Sequence, residues 1–153
     1  MRVNENLENL RMFIERARSI HGHLGPFLVL GVKIGLAGME KLEMEDSTRQ
    51  LHVEAELPKE IPYTCTLDGI QVTTRCTVGN QKLYLKKSNL PLISAKFNMV
   101  NKGKQVVISV RDEILQTLIK ELKKSKGDKA TQEKLAWMIA SMPEEKLFSI
   151  KIQ

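Results

Sequence analysis

The segment "PFLVLGVKIGLAGMEKL", residues 26 to 42, restricts the fold most. Its density of apolar residues marks it as interior, and Pro26 suits the first turn of a helix running to about Leu42. Yet the helix would carry Gly31, Gly35 and Gly38, each costing ~1 kcal/mol relative to alanine. A core helix that bears this cost implies close approach by another backbone or by a partner subunit. Because homo-oligomers are most often twofold dimers, the glycine-bearing helix leads to the expectation of a homodimer.

The remaining pattern places helices around a set of strands. Residues 4 to 20 repeat Leu7, Leu10, Phe13 or Ile14, and Ala17 along one helical face, with Asn4 as an N-cap. "RQLHVEAEL" alternates as a half-buried strand, and a short helix is expected from about Thr66. "KLYLKK", "LPLISAKFNMV" and "QVVISV" read as strands, the last two joined through the turn "NKGK". Helices are expected from Arg111 to Lys124 and from Lys129 to Ser141, with "LFSIKI" as a terminal strand. The sum is a single α+β domain over residues 1 to 153, with a mixed, largely antiparallel sheet flanked by helices.

Charge does not point to nucleic acid. The formal net charge is +6, but acids are interleaved with the C-terminal lysines, and aromatics make up only 5% of the chain. Base stacking on a basic surface has little to work with, so no nucleic-acid partner is expected. No apolar run reaches the ~18 residues of a membrane span, the longest being broken by Gly31, Lys33, Gly35 and Gly38. The N-terminus has no leader pattern, so a cytoplasmic location is expected, with Cys65 and Cys76 reduced.

Chemistry concentrates in "SIHGHLGPF", residues 19 to 27. In an extended segment His21 and His23 would point the same way and converge on one ion, whereas on a helix they would lie about 200 degrees apart. Gly22 and Gly25 permit a tight backbone there. The alternative is a surface turn with solvated imidazoles. Cys65 stands at the start of the expected helix, where backbone N–H groups favour a thiolate. Cysteine with two histidines is a known zinc set that leaves the fourth position open. The alternative is a small buried hydrophobe. A cation beside two helix N-termini would meet two positive dipole ends and needs an anion to offset them. Asp68 is read first as a partner orienting an imidazole, then as a helix-turn acid, then as a ligand. It is also the one weak candidate for a general base. Gln71, Cys76 and Thr77 are read as site-lining residues, and His52 as a solvated strand histidine. The expected cofactor is a divalent transition metal, zinc first.

"HGHLGPFLVLG", "CTLDGIQVTTRCTVGNQKL" and "EEKLFSI" occur in this order, and together they resemble the core domain of the formylmethanofuran dehydrogenase E-subunit family. The resemblance implies an α+β core and a metal site, with His21, His23 and Cys65 at the matching positions. Many relatives have Cys-Pro-Gly where this chain has Gly25-Pro26-Phe27, so one possible sulfur is missing. Asn80, Gln81 and Lys82 replace a Lys-Gly-Asn loop found in relatives. The cysteine-rich zinc finger of many relatives does not occur in this sequence. The parent enzyme's pterin and iron–sulfur centres belong to its other chains. The resemblance therefore implies a metal-binding accessory or sensor domain, with a metalloenzyme as a possible partner. A small metal-dependent enzyme using a metal-activated water is the alternative, and a structural dimerisation module the second.

Overall fold

The computed structural model describes residues 3–43 and 50–153, with side chains from residue 7 onward. Two helices come first, α1 (Val3–His21) and α2 (Pro26–Lys41), followed by strand β1 (Leu51–Leu57) and helix α3 (Cys65–Thr74). Strands β2 (Leu83–Lys87), β3 (Ser94–Met99) and β4 (Lys104–Val110) then lead into α4 (Asp112–Ser125), α5 (Lys129–Ser141), the short α6 (Glu144–Leu147) and β5 (Phe148–Ile152). The Asn4 side chain, expected as an N-cap, lies outside the described residues.

The five strands form one sheet in the order β2-β1-β3-β4-β5. Only β1 and β2 run parallel, joined through α3, with Val53 opposite Leu83. The other pairings are antiparallel: Val53 faces Phe97, Phe97 faces Val106, and Ile108 faces Ile150. The α+β reading with a mixed, largely antiparallel sheet therefore holds. Burial alternates along β1, β3 and β4, so one sheet face is covered and the other carries His52, Glu54 and Lys96. On that open face His52 is half-buried and stacks parallel to Tyr84, with ring centroids 6.4 Å apart.

Helix α2 crosses the covered face and is buried from Pro26 to Gly38 apart from Lys33 and Leu36. The glycines explain how. A Cβ built on Gly31 would lie 2.0 Å from the Thr66 carbonyl oxygen, and one on Gly69 would lie 2.3 Å from the Leu28 carbonyl oxygen. Helices α2 and α3 thus touch backbone to backbone. Gly35 receives the Thr73 hydroxyl, and Gly38 receives the Phe97 ring. The small residues are all occupied within one chain. The stripe that suggested a dimer face is therefore an internal packing surface.

Lys33 sits on this helix and is held by carbonyls. Its Nζ donates to those of Ile139 (3.1 Å), Ala140 (3.0 Å) and Met142 (2.5 Å), closing the C-terminal end of α5. These are the orphan acceptors every helix leaves at its end. Burial pushes the Lys33 pKa down to about 8, partly opposed by the charge of Glu144.

Candidate metal centre

Three chain segments meet at the site. Helix α1 ends at His21, and Gly22 follows with φ +97, a left-handed conformation that L side chains rarely adopt. A Cβ at Gly22 would meet nothing within 4 Å, so the glycine serves the backbone angle and not packing. The reversal brings His23 back against His21, with ring centroids 4.6 Å apart and planes tilted by 39°. The two imidazoles do converge, but through a helix end and a left-handed turn, not through the extended segment expected from the sequence.

Cys65 comes from the first turn of α3, as expected, and lines a pocket of about 90 Å³ with His21, His23, Pro26, Phe27 and Pro62. Leu122 of α4 and Gln132 of α5 close its far side. The pocket faces the starts of α2 and α3. It also takes in the end of α1, whose negative dipole end offsets part of the positive field that two helix starts create.

Asp68 supplies the rest. Its Oδ2 lies 2.6 Å from Nδ1 of His21, tying the second turn of α3 to the end of α1. An ionised Asp68 accepts the Nδ1 proton and leaves the lone pair on Nε2. That Nε2 is buried and has no hydrogen-bond partner. The first of the three roles read for Asp68, orienting an imidazole, matches this geometry.

His23 is exposed, and its pKa is lowered, first by burial of the ring and then by neighbouring His21 and Lys129. Burial pushes the Cys65 thiol up, and the charge of Asp68 pushes it further, against a lowering contribution from its own backbone N–H. Among the described residues, no three His, Cys, Asp or Glu side chains are gathered into a ready-made ion cage. The donor chemistry still fits a divalent transition metal, because the buried Nε2 of His21 offers an unused lone pair beside a sulfur and a second imidazole.

The other residues expected at the site lie elsewhere. Cys76 is fully buried, and its Sγ donates to the Leu51 carbonyl at 3.4 Å, so it is a core residue that ties the end of α3 to β1. Thr77 closes its own turn: its N–H donates to Asn80 Oδ1 at 2.9 Å, and its hydroxyl accepts from Asn80 N–H at 3.0 Å. Gln71 is half-buried on α3, and none of the three lines the pocket. Sequence reasoning missed the pocket's outer wall of Ile61, Pro62, Leu122 and Gln132. Its apolar members read as ordinary loop and helix residues, and only the fold brings them to the histidines.

Comparison with known proteins agrees with this frame. A chain from Syntrophus aciditrophicus, described as an FmdE-like protein of tungsten formylmethanofuran dehydrogenase, superimposes with a TM-score of 0.57. The match covers 94% of this chain and 71% of that one at 16% identity, a likeness of fold. A protein of Archaeoglobus fulgidus named as a probable S-adenosyl-L-methionine-binding protein is 29% identical over 89% of this chain. This chain spans only 41% of that relative's length. The family model "FmdE, Molybdenum formylmethanofuran dehydrogenase operon" matches residues 20–149, from just before His21 to just past Phe148, and the chain belongs to that family.

Proposed function

We propose that this FmdE-family domain binds a divalent transition metal, zinc before others, through His21, His23 and Cys65, and serves a metalloenzyme as an accessory or sensor domain. The observation that carries the reading is the buried, unpartnered Nε2 of His21, fixed as an acceptor by Asp68 at Nδ1. An unsatisfied buried polar atom costs about 1–3 kcal/mol, and a metal ion would remove that cost. The carboxylate behind the imidazole is the usual outer partner of a metal-bound histidine. When bound, the metal would supply Lewis acidity beside the pocket.

An accessory role is favoured over a metal-dependent enzyme because Asp68, the candidate base, is already engaged by His21. A cytoplasmic setting would keep the Cys65 thiol available as a ligand. A twofold dimer would have to use a surface other than the glycine stripe, and light scattering decides between the chain's own 17.4 kDa and twice that mass.

Elemental analysis of the untagged protein tests the reading. One metal per chain is expected, with stoichiometric metal lost in Cys65→Ala and in His21→Ala. Full occupancy in Cys65→Ala would sink the ligand set.

A second reading comes from the Archaeoglobus fulgidus relative, whose name assigns it S-adenosyl-L-methionine and whose alignment spans nearly all of this chain. Calorimetric titration with that compound tests it. Saturable heat supports the reading, and a flat titration of the folded protein removes it.

A further inference from the structure

We propose that the His21–Cys65 pocket continues along α4 into a groove that takes an elongated small molecule with a metal-binding head, an apolar body and a cationic far end. The proposal rests on the metal reading above. At about 90 Å³ the pocket itself is well below the ~300–1,000 Å³ of ordinary small-molecule sites. A neighbouring cavity of about 530 Å³ lies within that range, between α4 and the segment around Leu90 and Pro91.

The walls of the two cavities are continuous. Pro62 lines the pocket, and the next residue, Tyr63, lines the groove. Leu122 lines the pocket, and Ile119 and Leu115 line the groove at the spacing of one face of α4. Where the cavities adjoin, the Phe27 ring of the pocket meets the Tyr63 ring of the groove edge-on, with centroids 5.6 Å apart. A ligand spanning both would lie along this aromatic ridge.

The lining defines the ligand. The groove walls are mostly apolar, and Ile61 (82% exposed) and Leu90 (65% exposed) stand on the rims as large uncovered apolar side chains. A ligand body laid between them would cover both. Carboxylate chemistry enters only at the distal end, where Asp112 stands in the first turn of α4 and Gln116 follows one turn later. Asp112 is ten residues from Leu122, about 15 Å along the helix axis. That acid sets the charge of the group at the far end, and the lone pairs of the metal-binding head set the other.

Straight-chain hydroxamates provide the probe, from acetohydroxamate to decanohydroxamate, titrated into the zinc-loaded full chain by calorimetry. Affinity is expected to rise about two- to fourfold per added methylene until the groove is filled. The ω-amino form of the longest chain should bind more tightly than its ω-carboxy form, and Asp112→Asn should remove that preference. Gln116→Trp and Leu90→Asp alter exposed positions, so the fold should survive. They should flatten the chain-length dependence while leaving acetohydroxamate binding unchanged. Affinity independent of chain length, or a dependence that both variants leave intact, overturns the groove. Elemental analysis of the same sample separates the two failures: zinc present with a flat series removes the groove alone, and zinc absent removes the metal reading and this proposal with it.

Discussion

His21 and Asp68, 47 positions apart, are joined by a 2.6 Å contact between Nδ1 and Oδ2. The pair fixes which imidazole nitrogen carries the lone pair, so its loss should weaken a metal without deleting a ligand. Asp68→Ala is expected to lower zinc affinity 10- to 100-fold, roughly the cost of losing an outer-shell carboxylate, while saturating zinc still reaches one per chain. Asp68→Asn keeps an acceptor for Nδ1–H and should fall between. Competition against a zinc chelator gives the affinities, and wild-type affinity in Asp68→Ala would show that the pair does not act on a metal.

The two cysteines should separate cleanly. Cys76→Ala is expected to keep full metal content, because its Sγ points to the Leu51 carbonyl and not to the pocket. It should lower the denaturation midpoint by removing a buried sulfur and its weak hydrogen bond. Metal loss in Cys76→Ala, in a variant that remains folded by circular dichroism, would contradict the placement.

Gly31→Ala should be among the most damaging single-methyl additions in the chain. Its Cβ would stand 2.0 Å from a backbone oxygen, which cannot rotate away as a side chain can. A cost at the upper end of the ~1–3 kcal/mol range for overpacking is expected in urea unfolding. Gly35→Ala meets the Thr73 hydroxyl instead, so combining it with Thr73→Ala should recover part of its loss. Equal costs for Gly31→Ala and the Gly35→Ala/Thr73→Ala pair would argue against the backbone contact.

Lys33 gives the chain a pH dependence of known sign. Its folded pKa is about 8 against an ordinary value of 10.5. Between those values the unfolded chain binds the proton that the folded chain has released, so this group makes stability rise with pH. Below about 8 both states hold the proton, and the cost of the buried charge is fully present. Unfolding wild type and Lys33→Met at neutral pH and near pH 10 isolates the effect. The difference should move in favour of wild type at the higher pH. A difference that stays constant, or moves the other way, would show that the three carbonyls hold the ammonium charged throughout.

Local patterns made much of this legible. The alternation of "LHVEAEL", the turn at "NKGK" and the apolar periodicity of α4 and α5 lie within short windows, and the structure follows them closely. The histidine pair and Cys65 could be named because their residue types are rare in the chain. What the sequence hid depends on distant partners. Gly31 announced a close contact, but only the fold shows Gly69 opposite it, so a second copy of the chain could not be separated from α3. Lys33 interrupted an apolar run, a sign of a buried amine in need of acceptors, yet nothing local points to the end of α5. Helix α6 escaped because four residues are too few for a periodicity. Thr77 and Cys76 drew attention by their nearness to Cys65 in sequence, but the helix carries them away from it.

The contact between Gly31 and Gly69 also governs what kind of variation the site can tolerate. Where two helices are spaced by side chains, exchanging a valine for a leucine slides one against the other and reshapes whatever lies at their ends. Here the spacing of α2 and α3 is set by main-chain atoms in van der Waals contact, a dimension that side-chain exchange elsewhere does not alter. The floor of the pocket, from Pro26 to Cys65, is therefore a fixed gauge. Adaptation to a different ligand is left to the rim at Ile61, Leu122 and Gln132, where residues can change while the distance between the two helix starts stays the same.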